Sequence, residues 1–87
     1  MAKKTIEVKT KDLEIISRMI SGRDNATIAK KLDKSASHVE KLGYGLSIPD
    51  KRELNEMITF AMKKAIKSEA YFAKSFRDLE QMKKTYL

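Results

Sequence analysis

Apolar residues along this chain recur at helical spacing in successive runs, and each run is closed by a polar or glycine-bearing break. Leu13, Ile16, Met19 and Ile20 form the first stripe, with Ile15 at its edge. Thr10 or Asp12 is placed to open that helix, and Gly22 to close it as a left-handed residue. Ile28, Ala29 and Leu32 form the second stripe, with Asn25 as a candidate cap, while Lys30 and Lys31 point away from it. Asp33-Lys34-Ser35 interrupts the pattern. Val39 and Leu42, three apart, then mark a third helix that Ser35 or Ser37 can cap. Gly43-Tyr44-Gly45 stops it near Leu42 or Gly43, because two close glycines cost helix stability. Tyr44 reads as a packing residue in preference to a phosphate contact.

The one proline lies in Ser47-Ile-Pro-Asp50, and Asp50 with Glu53 has the spacing of a capping box. From there to Tyr86 no residue breaks the periodicity, so residues 50–86 predict either one helix of about 55 Å at 1.5 Å per residue or a helical hairpin folded near Ser68. Leu54, Met57, Ile58, Ala61, Ala65, Phe72, Phe76, Leu79 and Met82 make a broad apolar stripe along it. A head of fewer than fifty residues is too small to cover so long a face. A second copy of the chain is therefore the expected cover, and these nine residues the expected dimerisation surface. The predicted organisation has three parts: a flexible basic arm over residues 1–9, a head of three short helices over 10–46, and a dimerising helical segment over 47–87. The fold class is all-α.

Size and composition sharpen this picture. A single core built from 87 residues is marginally stable alone, and with no cysteine and one histidine neither a disulfide nor a Cys/His zinc site is available to support it. Oligomerisation is the remaining device. No apolar run reaches membrane-spanning length and the Met1–Lys4 start leads into no signal-peptide core, so a soluble, cytoplasmic protein is expected. Nineteen basic against twelve acidic residues give a net charge of +7. That balance favours a polyanionic partner, nucleic acid before membrane. Lys63, Lys64, Lys67 and Lys74 beside Phe72 and Phe76 also permit a membrane-surface helix, but aromatic residues at helical spacing normally belong to a core.

Catalytic chemistry is not expected. Asp12, Glu14, Glu53, Asp78 and Glu80 stand beside lysine or arginine on helical faces, the pattern of solvated surface. No glycine-rich phosphate loop, metal cluster or cofactor motif is present, and His38 has no nucleophile near it in sequence. It reads as a solvent-facing residue or a DNA contact.

Residues 24–42 instead have the pattern of a helix-turn-helix, whose second helix enters the DNA major groove. Residues 9–39 resemble the helix-turn-helix domain of the LuxR/NarL (GerE-type) regulators. Glu14-Ile15-Ile16 is similar to that family's first-helix E-V-L. Met19, Gly22, Asn25, Ile28-Ala29 and Leu32 fall on its leucine, glycine, N-x-x-I-A and following leucine. Ser35 and Val39 match S-x-x-T-V, with His38 in the threonine position. Lys34 stands where the family has a hydrophobic residue and Glu40 where it has a basic one. The resemblance implies base contacts from Ala36, Ser37, Glu40 and Lys41, with His38 at the edge, on a reading helix that starts at Ser35 and runs to residue 43. It implies phosphate contacts from Arg23, Thr27, Lys30, Lys31 and Lys34.

The expected function is thus that of a small homodimeric transcriptional regulator binding double-stranded DNA sequence-specifically. Two other classes fit the same features. One is a DNA-packaging or assembly adaptor, similar in architecture to the small subunits of phage terminases, for which a ring is the discriminating observation. The other is a protein-binding module docking on RNA polymerase or another protein, which the acidic Glu40 on the reading face favours.

Overall fold

The breaks in the hydrophobic pattern become turns between α-helices in the computed structural model, which describes residues 5–67 and 73–87. The helices are α1 (Thr10–Met19), α2 (Gly22–Leu32), α3 (Ala36–Gly43), α4 (Lys51–Lys67) and α5 (Ala73–Tyr86). Among the described residues the sole β feature is an isolated antiparallel bridge between Thr5 and Asp50.

Local chemistry explains most of the boundaries. Gly22 does not close α1 but opens α2. Ser21 caps α2 from the preceding position, its N–H and hydroxyl both donating to Asp24 Oδ2, at 2.8 and 3.0 Å. Asn25 therefore lies inside the helix rather than at its cap. The expected capping box of α4 is present in full: Glu53 N–H donates to Asp50 Oδ1 at 2.8 Å, and Asp50 N–H to Glu53 Oε1 at 2.9 Å. These reciprocal bonds satisfy donors that the first turn otherwise leaves open.

Of the two forms expected for the C-terminal segment, the structure has the hairpin. It is two helices, and α5 returns along α4, so that Leu87 stands beside Lys51, Arg52 and Asn55 of α4's first turns. The longest dimension of the molecule is 41 Å, too short for the ~55 Å rod that one helix would make, and the radius of gyration is 12.1 Å. That radius is close to the ~12 Å of a compact chain of this length.

Folding back changes what covers the apolar stripe. Leu54, Met57, Ile58, Ala61, Ala65, Leu79 and Met82, expected at a dimer interface, are all buried within one chain. They join Ile16, Met19, Ile28, Ala29, Leu32, Val39 and Leu42 in a single core. Phe76 is half-buried against the same core, and Phe72 lies outside the described residues. The head covers one side of α4 and α5 covers another, which is why no second copy is required. Each fully buried Leu, Ile or Met contributes about 1.5–3 kcal/mol relative to exposure.

Thr5–Lys9 is also tied down. Ile6 N–H donates to the Pro49 carbonyl at 2.8 Å, and Ile6 and Val8 pack partly buried on the core. The alternation Ile6–Val8 is what directs both side chains to one face. The flexible arm predicted for residues 1–9 thus does not include residues 5–9; residues 1–4 lie outside the described set.

Polar side chains join the helices at their ends. Lys64 Nζ pairs with Asp24 Oδ2 at 2.9 Å, linking α4 to α2. Burial pushes the Asp24 carboxyl up, but the Ser21 groups and the Lys64 ammonium outweigh it and hold it below its usual value. Tyr86 Oη donates to Asp12 Oδ2 at 2.5 Å and accepts from Lys9 N–H at 3.2 Å, linking α5 to α1. Burial and the adjacent Asp12 carboxylate together raise the Tyr86 phenol. Ser17 Oγ donates to the Gly43 carbonyl at 2.8 Å, linking α1 to α3.

Candidate nucleic-acid interface

The α2–α3 corner is set by three residues, Asp33 to Ser35. Asp33 takes the left-handed conformation (φ 58°, ψ 43°). This lets Asp33 N–H reach the Lys30 carbonyl (3.3 Å) and Lys34 N–H reach the Ala29 carbonyl (2.9 Å). The pair of bonds is a Schellman termination, built here on aspartate, which tolerates the left-handed region better than most residues. Ser35 then caps α3, its Oγ accepting from His38 N–H at 3.2 Å. Of the two candidate caps, the serine directly before α3 is the one used. Ala29, 3% exposed, gives the two helices a small residue at their contact.

The far end of α3 repeats the device. Gly45 N–H bonds to the Leu42 carbonyl (3.2 Å) and Leu46 N–H to the Lys41 carbonyl (2.9 Å), with Gly45 at φ 77°. A Cβ at Gly45 would meet only ordinary contact, from Leu13 at 3.5 Å, so it is the backbone angle that calls for glycine. The termination turns the chain outward. Tyr44 is 71% and Leu46 73% exposed. Tyr44 is therefore not the packing residue that the sequence suggests.

With both ends fixed, α3 presents two faces. Val39 and Leu42 are buried; Ala36, Ser37, Glu40 and Lys41 are exposed on the other side. Arg23, Thr27, Lys30 and Lys31 are exposed on α2, and Lys34 and Ser35 on the turn. Thr27 Oγ1 lies 3.4 Å from the Arg23 carbonyl and donates back along its own helix. Among the described residues, no ion pair engages the side chain of Arg23, Lys30, Lys31, Lys34 or Lys41. Five cations on α2, the turn and α3 thus have no ion-pair partner among the described residues, and Asp33 and Glu40 are the exposed acids set among them.

His38 departs from its expected place. It is half-buried, and its Nε2 is paired with Glu53 Oε2 of α4. Four residues before Leu42, it lies about 40° from the buried face at ~100° per residue. Its ring is therefore directed toward α4 rather than toward an outside partner. Glu53, grouped by sequence with solvated carboxylates, is 7% exposed. Its two oxygens serve His38 and the Asp50 N–H, so one side chain fixes both the start of α4 and the side of α3.

One nearby residue was not signalled by the sequence. Arg52 Nη2 donates to the Lys31 carbonyl at 3.0 Å, placing an exposed guanidinium at the C-terminal end of α2. Its position in the second residue of α4 carries no hint of that contact; only the packing of α4 against α2 creates it.

The described residues contain no group of three or more His, Cys, Asp or Glu side chains arranged to hold a metal ion, and no helix long and apolar enough to cross a membrane. No protein-family model matches the chain, and no curated protein or solved structure matches it either.

Proposed function

We propose that the α2–α3 corner is a helix-turn-helix and that the chain binds double-stranded DNA, with α3 in the major groove, as a small transcriptional regulator. The observation that supports this reading is a set of exposed cations, Arg23, Lys30, Lys31, Lys34 and Lys41, without ion-pair partners among the described residues, on or beside a short helix whose outer face is otherwise small and polar. Phosphates attract such cations and fix a helix in register, while Ala36, Ser37, Glu40 and Lys41 reach base edges. Glutamate at position 40 accepts from cytosine N4, which gives it a use on a reading face. His38 takes no part as a base contact in this reading. It positions α3 through Glu53.

Self-association has lost its first support, since the stripe expected to drive it is internal to one chain. One copy is enough, in this reading, to set one helix into one groove.

The test is a Lys30→Ala/Lys31→Ala double variant, titrated against duplex DNA at several salt concentrations. Each phosphate contact removed should lower the log–log salt slope by about 0.9, so the pair should lower it by about 1.8. Circular dichroism should be unchanged, because both side chains are exposed. An unaltered slope in a protein that does bind would exclude these lysines from the interface.

A second reading rests on a different observation. Tyr44, Leu46 and Ile48 stand 71%, 73% and 50% exposed within one short connection. Such a cluster suits a protein partner, and it becomes the better reading of the chain if duplex DNA is left unbound at low salt.

A further inference from the structure

We infer that the DNA-facing surface continues beyond the α2–α3 corner onto the first turns of α4, where Arg52, Lys51 and Asn55 engage a backbone phosphate of the same duplex. The inference rests on the DNA-binding reading above and adds a contact on a third helix.

Three observations carry it. Arg52 is held by its bond to the Lys31 carbonyl, next to two of the proposed phosphate-binding lysines. One of its nitrogens is used there; the guanidinium has five N–H donors in a rigid fork, so most remain for another acceptor. Second, Lys51, Arg52 and Asn55 line one side of an open hollow of about 500 Å³, closed on the other side by Leu87. The hollow is open and mostly apolar, and the two cations and one amide standing at it are a donor set for an anion. Third, Lys51, Arg52 and Asn55 are exposed, and among the described residues no ion pair engages Lys51 or Arg52.

The helix terminus itself adds little. The N–H of Glu53 is already taken by Asp50, and that of Leu54 by the Asp50 carbonyl. The contact is therefore one of side chains, with Arg52 as its centre. Its neighbour Glu53 holds α3 through His38, so the same turn of α4 that positions the reading helix also presents the clamp. A duplex lying along α3 has its phosphates on the Lys30–Lys34 side, and Arg52 extends that row without any movement of the chain.

A purely structural alternative exists for Arg52. A cation that hydrogen-bonds a last-turn carbonyl stabilises the end of α2 whether or not DNA is present. The experiment separates the two. The full chain and its Arg52→Ala and Lys63→Ala variants are titrated with one duplex across a range of salt, with thermal melts of each protein recorded alongside. Lys63 is an exposed cation eleven residues beyond Arg52 along α4, about 16 Å away at 1.5 Å per residue. It controls for the loss of one unit of net charge. The inference expects Arg52→Ala to lower the salt slope by about 0.9 while Lys63→Ala leaves it unchanged. Asn55→Ala should weaken binding without altering the slope, since it removes no charge.

Arg52→Ala and Lys63→Ala with equal slopes, in a parent chain that binds DNA, would overturn the inference and leave the proposed function standing. A lowered melting temperature for Arg52→Ala with its salt slope intact would do the same and assign Arg52 to the end of α2 alone. A parent chain that binds no duplex at low salt would remove the proposed function and this inference together.

Discussion

The His38–Glu53 pair is the most informative place to perturb the molecule, because it joins the proposed reading helix to the C-terminal hairpin. The two are unequal: the side chain of His38 is 35% exposed and that of Glu53, taken without its backbone, 9%. Replacing His38 by alanine leaves a buried carboxylate with one oxygen unsatisfied, a defect that costs about 1–3 kcal/mol. Glu53→Ala removes the carboxylate itself, so it loses the His38 pair and the Asp50 N–H bond but also recovers the desolvation of a buried charge. A net loss of about 2 kcal/mol is the balance expected. For a domain of this size, ~1 kcal/mol lowers the melting temperature by about 4–8 °C. Either single variant should therefore melt roughly 8–16 °C lower at ~2 kcal/mol. The decisive quantity is the coupling. With both partners gone neither is left unsatisfied by the other, so the double variant should be more stable than the sum of the singles by about 1–2 kcal/mol. Urea unfolding of the four proteins, monitored by circular dichroism, measures it. Additivity within about 0.3 kcal/mol would refute the tie between α3 and α4.

The remaining expectations concern the core, the two helix ends and pH. Leu79→Ala, at a residue with 0% exposure on α5, should cost about 2–5 kcal/mol by urea melt, since α5 is part of the one core. A loss under ~1 kcal/mol would mean that α5 does not pack there. Gly45→Ala should destabilise by about 1–2 kcal/mol because of its positive φ, whereas Asp33→Gly, at φ 58°, should stabilise slightly; equal effects from both would contradict the terminations described. Asp24 is held below its ordinary 3.8, so its share of stability is present above that pH and lost as pH falls through the lowered value. Lys64→Met should flatten the acid limb of the stability profile. Tyr86 is raised above 10.0, so its share is present below pH 10 and lost as pH rises through the raised value; Tyr86→Phe should remove that alkaline limb.

How much of this was legible in the chain depends on whether a feature is local. The capping box at Asp50–Glu53, the break at Asp33–Ser35 and the stop at Gly43 are written in adjacent residues, and each appears where the pattern puts it. Ser21 was missed as a cap because its partner is Asp24 rather than the usual Glu, which left Asn25 as the more obvious choice. Of the stripe Leu54–Met82, seven residues are buried and Phe76 is half-buried, within one chain rather than between two copies, while Phe72 lies outside the described residues. Periodicity gives the face of a helix that needs cover, but not whether the cover comes from the same chain. The hairpin between α4 and α5 decides that, and the residues between them carry no proline or glycine to announce it. Glu53 and Arg52 show the same limit at single positions. Their sequence neighbours are charged, which suggests open surface, yet one is buried by α3 and the other is bonded to α2. The exposed cations on α2, the turn and α3 were legible throughout, because helical phase alone separates them from Ile28, Leu32, Val39 and Leu42. His38 was legible in principle by the same phase, lying nearer to Leu42 than to Ser37.

The central claim is that one face, made of α2, the turn and α3, meets DNA. Titrating the ¹⁵N-labelled chain with a short duplex and following its amide resonances tests this most directly. The expected result is a contiguous set of shifted or broadened amides from Arg23 to Lys41, extending to Lys51–Asn55, with the amides of Lys74 and Arg77 in the first turns of α5 unmoved despite their charge. Shifts centred on α5, or spectra unchanged by a molar excess of duplex at low salt, would contradict it.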